Sequence, residues 1–264
     1  MKTDYLKDAY EFTDEELPML DLINIKQKPQ DISNKRMQIA AFLKESSRNI
    51  KSSTIETISV SDLKLMFELY DKIFFQSWFK NSFPGKLKFS LSRRMTKSAG
   101  LTLCPKNIDS IKPEELSIEI RIGVDFFFHY GTVKGTNTVC GINTSSSLEA
   151  MQLVFEHELC HVIEFVLFKR SNCSGSRFKA IANNIFGQTE SYHRLATHKQ
   201  IARQKLGINI GDTVSFTFEG KRLTGILYNI NKRATVMVND KNGHLTDKAG
   251  NKYSKYYVPL SLLE

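Results

Sequence analysis

The sequence lacks the long apolar segments that membrane insertion or secretion would require. No apolar run in the 264 residues reaches the roughly 18 residues that a transmembrane helix needs. The N-terminal segment from Met1 to Asp8 has no apolar core of the signal-peptide type. We therefore expect an intracellular protein, in the cytoplasm or the nucleus, that has no membrane partner.

Cysteine is also scarce, and its spacing excludes two common uses of this residue. The four cysteines lie at positions 104, 140, 160 and 173, so no two of them form a C-x-x-C pair. Neither a disulfide framework nor a zinc ribbon is expected from such scattered cysteines. Hydrophobic and charged fractions of 41% and 25% are those of an ordinary globular protein.

One short segment combines histidine and glutamate in a pattern that chance seldom produces. His157, Glu158 and His161 form an H-E-x-x-H motif inside residues 148–168, whose apolar character predicts a buried helix. Residues four apart lie on one helix face, so the two imidazoles can direct one nitrogen each at a single point. Glu158 follows the first histidine, and its carboxylate can reach a water on a shared metal. The alternative is a core helix with polar residues at this spacing, but three ionisable groups on so apolar a helix would be costly without a metal.

Composition and hydrophobic pattern divide the chain into three predicted parts. Residues 1–55 begin acidic and then turn basic and rich in serine and asparagine, which predicts a partly disordered leader. Residues 56–200 mix helical stripes with alternating strands, which favours an α+β domain. Ser61 is expected to cap the first helix, whose apolar stripe extends to Trp78.

Residues 206–264 predict a small basic all-β domain, most like a five-stranded SH3-type barrel. Residues 199–264 contain eleven lysines and arginines and five acidic residues, a net charge of +6 (11 − 5). Four tyrosines are interleaved with the basic residues: Tyr228, Tyr253, Tyr256 and Tyr257. Basic residues with aromatics suit DNA, through phosphate contacts and base stacking. A solvated barrel face with tyrosines in the core is the alternative.

Several segments of the middle region resemble, in order, those of the SprT-like zinc metalloprotease family, which includes bacterial members and a eukaryotic DNA–protein crosslink protease. The resemblance covers roughly residues 60–198. It depends on an opening helix at 69–75, a strand and Ala-Gly stretch at 89–100, the motif helix, a Gly-x-x-Phe segment at 174–178 and a Phe-Gly-x-Thr segment at 186–193. The family resemblance implies a zincin-like domain, with helices packed on a small mixed sheet, followed here by the SH3-like barrel.

The resemblance also implies a mechanism and partners. Zn²⁺ would bind His157 and His161, and Glu158 would be the general base of a zinc metalloendopeptidase. The substrate would be a protein associated with DNA, with a role in DNA repair. The formal net charge of +9 also favours an anionic partner such as DNA.

Two positions depart from the family pattern. The family's third zinc ligand is the histidine of His-Gly-x-x-Phe, where this chain has Ser174, and Gln188 replaces a further histidine found in some members. A serine hydroxyl is a poor zinc ligand. Cys173 and His193 are the two candidates for the third ligand, with Glu164 behind them. A two-histidine site completed by waters and a catalytically impaired DNA-binding or adaptor protein are the alternatives.

Overall fold

The structure, a computed structural model, describes residues 25–264 and has the mixed α+β architecture expected from the sequence. The helices are α1 (Pro29–Ser46), α2 (Val60–Phe74), α3 (Trp78–Ser82), α4 (Asp125–Phe128), α5 (Ser147–Phe168), α6 (Ser176–Phe186) and α7 (His198–Leu206). The strands are β1 (Lys86–Ser92), β2 (Gly100–Leu103), β3 (Ser117–Gly123), β4 (Thr138–Val139), β5 (Ile142–Asn143), β6 (Thr213–Phe218), β7 (Lys221–Ile230), β8 (Arg233–Asn239), β9 (Leu245–Thr246) and β10 (Lys252–Pro259). Short 3-10 turns occupy Ile108–Ser110, Pro113–Glu115 and Leu260–Leu262.

A small mixed sheet holds the first part of the chain together. Its strand order is β1-β3-β2, with β1 parallel and β2 antiparallel to the central β3. The alternation predicted for β3 places Ile118, Ile120 and Ile122 in the core, where all three are fully buried. Because β2 is the edge strand nearest α5, its side chains can reach the helix that carries the H-E-x-x-H motif.

The motif helix α5 lies at the centre of the core. Fifteen of its 22 residues are buried, because the segment is apolar on nearly all sides. The hydroxyl of Ser146 caps the helix by accepting a hydrogen bond from the Glu149 N–H at 3.2 Å. The Glu149 carboxylate accepts from the Ser145 N–H at 2.7 Å, so the reciprocal half of a capping box is displaced by one residue.

The described part of the predicted leader packs into the core. Helix α1 buries Ile32, Ile39 and Leu43 in the same hydrophobic cluster as α5. Arg36 forms two hydrogen bonds of 2.7 and 2.6 Å with the buried carboxylate of Glu156 on α5. This contact joins residues 120 positions apart, and local composition does not reveal such contacts. The acidic residues 1–21 and the rest of the leader up to residue 24 lie outside the described residues.

The first predicted helix begins and ends earlier than expected. Ser59, not Ser61, is the N-cap, because the Asp62 carboxylate accepts the Ser59 N–H at 2.7 Å in a capping box. The helix ends at Phe74, where Gln76 and Ser77 adopt positive φ values of 51° and 62°. The apolar stripe continues to Trp78 because the separate helix α3 packs onto the same core.

The C-terminal strands form an antiparallel five-stranded sheet in the order β6-β7-β8-β10-β9. Its core contains Val214, Phe216, Leu227 and Val236, with Ala202 of α7 packed against them. The strand prediction is confirmed, but the SH3-like closure is not, since no sheet within residues 25–264 is closed. In the same residues, no helix combines the length and apolar character needed to cross a membrane.

One buried carboxylate joins the two parts of the structure. Asp125 of α4 accepts contacts from Lys232, in the β7–β8 turn, at 2.7 Å and from Arg93, after β1, at 3.1 Å. His198, the first residue of α7, lies 3.7 Å from the same carboxylate. The C-terminal sheet is therefore linked by charge to the region around the motif helix.

Candidate metal centre

The two motif histidines project from one face of α5, as their spacing predicts. The ring centroids of His157 and His161 lie 5.0 Å apart. Phe178 of α6 packs against both rings, with centroid distances of 4.8 and 4.5 Å. Because Phe178 is almost fully buried, it limits the rotamers of both imidazoles.

Cys173 approaches the two histidines from the loop between α5 and α6. Its Sγ and one ring nitrogen from each of His157 and His161 all lie within 4.8 Å of one another. Ser174, the residue at the family's usual ligand position, is exposed, and its N–H donates to the Asn172 side chain at 3.0 Å. Of the two predicted candidates for a third ligand, the structure thus brings Cys173 to the histidine pair.

His193, the other candidate, lies on the wall of the same cleft but outside this cluster. Its two ring nitrogens face the backbone N–H groups of Ala99 at 3.0 Å and of Leu195 at 3.2 Å. Its backbone also forms an isolated bridge with Val139. Burial lowers the pKa of His193 to about 4, so its ring is neutral at pH 7.

Glu164 is surrounded by donors, which rules against its use as a metal ligand. Its Oε1 accepts from Arg177 Nε at 2.8 Å, and its Oε2 accepts from Ser171 Oγ at 2.6 Å and Asn172 N at 3.0 Å. Ser171 Oγ also lies 2.6 Å from His161 Nδ1. The carboxylate therefore acts on His161 through Ser171 and not on a shared metal.

Gln188 and His129 lie outside the cluster and have structural roles. Gln188 is buried and donates to Leu153 O at 3.0 Å and to Glu156 at 3.3 Å, away from the histidine pair. His129 is half-buried, with its Nδ1 2.8 Å from the Asp125 carbonyl oxygen.

The environment keeps both motif imidazoles neutral. Burial, together with smaller effects of the neighbouring rings of His161 and His193, lowers the pKa of His157 to about 3. Burial lowers the pKa of His161 to about 4, with Glu164 opposing the shift. A neutral imidazole offers a lone pair, so both rings are in the protonation state that a metal requires at pH 7.

The remaining nitrogen of each ring has its own partner. His157 Nδ1 lies 3.7 Å from Cys140 Sγ, and His161 Nδ1 lies 2.6 Å from Ser171 Oγ. Burial raises the pKa of the Cys140 thiol, so this sulfur stays protonated at neutral pH. These contacts leave the Nε2 atoms for the cluster, which is the common arrangement for metal-binding histidines.

Glu158 lies beside the cluster with its carboxylate held by the edge strand. Thr102 Oγ1 on β2 donates to Glu158 Oε2 at 2.7 Å. Only 4% of Glu158 is exposed, and burial raises its pKa to about 7, although the Thr102 hydrogen bond opposes the shift. Such a carboxyl group can both accept and return a proton near neutral pH.

Gly100 leaves the space that this carboxylate occupies. A Cβ atom at position 100 would collide with Oε1 and with the carboxyl carbon of Glu158. The cleft in front of Glu158 has a volume of about 190 Å³. It is lined by Lys97, Ser98, Ala99, Gly100, Val139, Cys140, Val154, His157, Glu158, Ser191, Tyr192 and His193.

The donor set fits Zn²⁺. Two imidazoles and one thiol supply three ligands of the kinds that zinc prefers, and three protein ligands leave a coordination position for substrate or water. A soft thiolate also disfavours Mg²⁺ and Ca²⁺, which take oxygen ligands. Together with the adjacent carboxyl group of Glu158, these donors have the chemistry that metal-assisted hydrolysis requires.

The profile of the SprT-like family matches residues 63–198, which is more than half of the 264 residues. The chain belongs to the SprT-like family, and the resemblance inferred from the sequence is confirmed. This family is of metallopeptidase type and generally zinc-dependent. Comparisons with curated proteins and with solved structures gave no match.

Sequence reasoning did not identify the residues that hold the site in place. Thr102 is 56 residues from Glu158 in the chain, and no local spacing pattern connects the two. Ser171 stands in a polar loop whose composition does not distinguish it from Ser174 or Ser176. For Gly100 a signal existed, since it ends the Ala-Gly stretch that resembles the family.

Proposed function

We propose that the chain is a zinc-dependent metallopeptidase of SprT type in which His157, His161 and Cys173 hold Zn²⁺ and Glu158 is the general base. The observation that carries the proposal is the convergence of two neutral imidazoles and one thiol within 4.8 Å. A buried carboxyl group with a pKa of about 7 lies directly beside this cluster. This combination favours a role in peptide-bond hydrolysis over a purely structural metal site, because a structural site would not require a base.

Each residue of the site has a separate role in the proposed reaction. When bound, zinc lowers the pKa of water in its open position and polarises the scissile carbonyl. Glu158 accepts a proton from the attacking water and returns it to the leaving amine. Thr102 orients the accepting carboxylate, and Phe178 keeps the two imidazoles in position. The half-buried Cys173 completes the donor set from its loop.

The proposal also includes a protein substrate associated with DNA and an intracellular location. Its support is the basic C-terminal sheet, where Tyr228 and Tyr257 are 66% and 60% exposed. Lys255 Nζ lies 5.6 Å from the Tyr257 ring, which combines a cation with a stacking surface. Tyr256 packs against Phe216 instead, so one tyrosine contributes to the core of the sheet while Tyr228 and Tyr257 are exposed.

Zinc content and cleavage of a protein substrate test the catalytic proposal together. The purified parent protein is expected to retain one Zn²⁺ after dialysis and to cleave an unfolded protein in the presence of single-stranded DNA. Glu158→Gln is expected to keep the metal and to lose cleavage, because the amide cannot accept the proton. Cleavage by this variant at the parent rate would contradict the mechanism.

Fluorescence anisotropy with a labelled single-stranded oligonucleotide tests the DNA proposal. Tyr257→Ala should weaken binding by about 5- to 150-fold, as expected for loss of one base-stacking contact worth about 1–3 kcal/mol. Lys255→Gln should reduce the salt slope by about 1, because one phosphate contact is lost. Tyr192→Ala, at an exposed tyrosine outside the sheet, is the control. Equal effects of the tyrosine variants would contradict a DNA surface on the sheet.

A catalytically impaired DNA-binding or adaptor protein is the second candidate. The observation that favours it is the exposed Ser174 at the position of the family's third ligand. In this case the parent protein loses zinc on dialysis, while salt-dependent DNA binding remains. Stoichiometric zinc that survives dialysis would exclude this candidate.

A further inference from the structure

The loop that carries Cys173 is held by one buried side chain. Glu164, only 1% exposed, lies one turn beyond His161 on α5. Its carboxylate accepts from Ser171 Oγ at 2.6 Å, Asn172 N at 3.0 Å and Arg177 Nε at 2.8 Å. Arg177 is itself held over the Phe168 ring at 3.9 Å. The three donors bracket Cys173 on both sides along the chain.

The same carboxylate determines which nitrogen of His161 is protonated. Asn172 N–H and Arg177 Nε–H can only donate, so Glu164 is the acceptor in this network. Ser171 donates its single proton to Glu164 and therefore offers only its lone pairs to His161. His161 Nδ1 must then carry the hydrogen and donate to Ser171, which leaves the Nε2 lone pair for the cluster.

We propose that Glu164 is the positioning residue of the metal site, acting through Ser171 on His161 and through the backbone of Asn172 on Cys173. Because Ser171 and Asn172 are both bound to Glu164, the next residue, Cys173, is directed at the histidine pair and Ser174 is left exposed. The single carboxylate thus sets the tautomer of one ligand and selects position 173 as the third ligand. This inference rests on the proposed zinc site and names how its ligands are set.

A metal-free measurement tests the first half of the inference. Long-range ¹H–¹⁵N correlation spectra of the metal-free protein at pH 7 report which ring nitrogen of His161 is protonated. The parent is expected to show the Nδ1–H form, and Ser171→Ala should shift the population toward Nε2–H. Ser174→Ala, at the exposed serine of the same loop, should leave the spectrum of His161 unchanged. A parent protein in the Nε2–H form would overturn the relay whether or not zinc binds.

Metal binding tests the second half. Competition with a chromophoric chelator should show a zinc affinity about 10- to 100-fold weaker for Ser171→Ala than for the parent, the usual effect of losing a partner of a metal-binding histidine. Ser174→Ala should change the affinity less than about 2-fold by the same argument. Equal affinities for Ser171→Ala and the parent would overturn the inference while the zinc site stands. A parent that binds no zinc would overturn the proposed function and this half of the inference with it.

The thiolate-to-cobalt charge-transfer band of the Co²⁺-substituted protein reports Cys173 itself. Glu164→Gln should weaken this band, because the amide cannot accept from Ser171, Asn172 and Arg177 as the carboxylate does. Ser171→Ala should keep the band, since the Asn172 N–H still binds Glu164. Circular dichroism confirms that each variant is folded, and Glu164→Asp covers the case in which the glutamine variant does not fold. If the band were undiminished in a folded Glu164 variant, the role of Glu164 in positioning Cys173 would be overturned.

Discussion

Thr102 on the edge strand β2 donates a hydrogen bond of 2.7 Å to the carboxylate of Glu158 on the central helix α5. This contact couples the small sheet to the proposed general base. It exists because β2 runs antiparallel to β3 at the edge of the sheet, with α5 packed alongside. A hydroxyl at this position fixes one carboxylate oxygen, and the other lies beside Gly100, which lines the cleft.

Loss of this hydroxyl should impair catalysis without loss of metal. We expect Thr102→Val to lower kcat by about 10-fold, because a carboxylate that is no longer oriented transfers protons less efficiently. Zinc content should stay at the parent level, since Thr102 contacts neither histidine. Thr102→Ser retains the hydroxyl and should recover most of the activity. An unchanged kcat for the valine variant would show that Glu158 needs no such support.

A methyl group at Gly100 should act on the same carboxylate from the other side. In Gly100→Ala the new Cβ would collide with Glu158, so its carboxylate must move. We expect peptidase activity to fall by about 100-fold or more, the range associated with a displacement of about 1 Å in an active site. Leu101→Ala, at an exposed neighbour on the same strand, is the matched control and should retain activity. Similar activities of the two variants would contradict the predicted collision.

Zinc affinity should distinguish the two candidates for the third ligand. Cys173→Ala removes a donor atom of the cluster and should weaken zinc binding by at least about 100-fold. His193→Ala should change the affinity by less than about 3-fold, because its ring faces backbone N–H groups outside the cluster. Cys104→Ala controls for the loss of a thiol elsewhere. If His193→Ala weakened zinc binding more than Cys173→Ala did, the assignment of Cys173 as third ligand would be wrong.

The stability that the contacts of Asp125 with Lys232 and Arg93 contribute should depend on pH. Burial acts to raise the pKa of Asp125, but hydrogen bonds from Lys232 and Arg93 outweigh it, and the pKa lies below its ordinary value. The charged form therefore stabilises the folded state at pH values above the unfolded pKa of about 3.9. This contribution is lost as the pH falls through the lower folded pKa.

Urea unfolding of Asp125→Asn measures this contribution. At pH 7 we expect the variant to be less stable than the parent by about 1 kcal/mol, a modest value because Arg93 and Lys232 are partly exposed. The difference should shrink once the pH falls below about 3.9. Arg233→Gln, next to Lys232, should cause no such pH-dependent difference. A stability loss that is the same at every pH would exclude the charge of Asp125 as its cause.

The amino-acid sequence by itself determined the chemistry of the motif helix and the family. His157 and His161 are four residues apart, so helical periodicity alone places both on one face, and Glu158 follows the first of them. The helix from residue 148 to 168 and most strands of the three- and five-stranded sheets were predictable for the same reason, since each depends on a local hydrophobic pattern.

Only the tertiary structure brought Cys173 to the histidine pair and showed which residues contact the cluster. Cys173 and Ser174 are neighbours, and composition cannot show that Glu164 binds Ser171 and Asn172 so that position 173 faces the histidines. Likewise, Thr102 reaches Glu158 and Arg36 reaches Glu156 across 56 and 120 residues of chain. These contacts form only after the sheet and α1 have packed on α5, because their energy comes from burial shared between distant segments and not from any local preference.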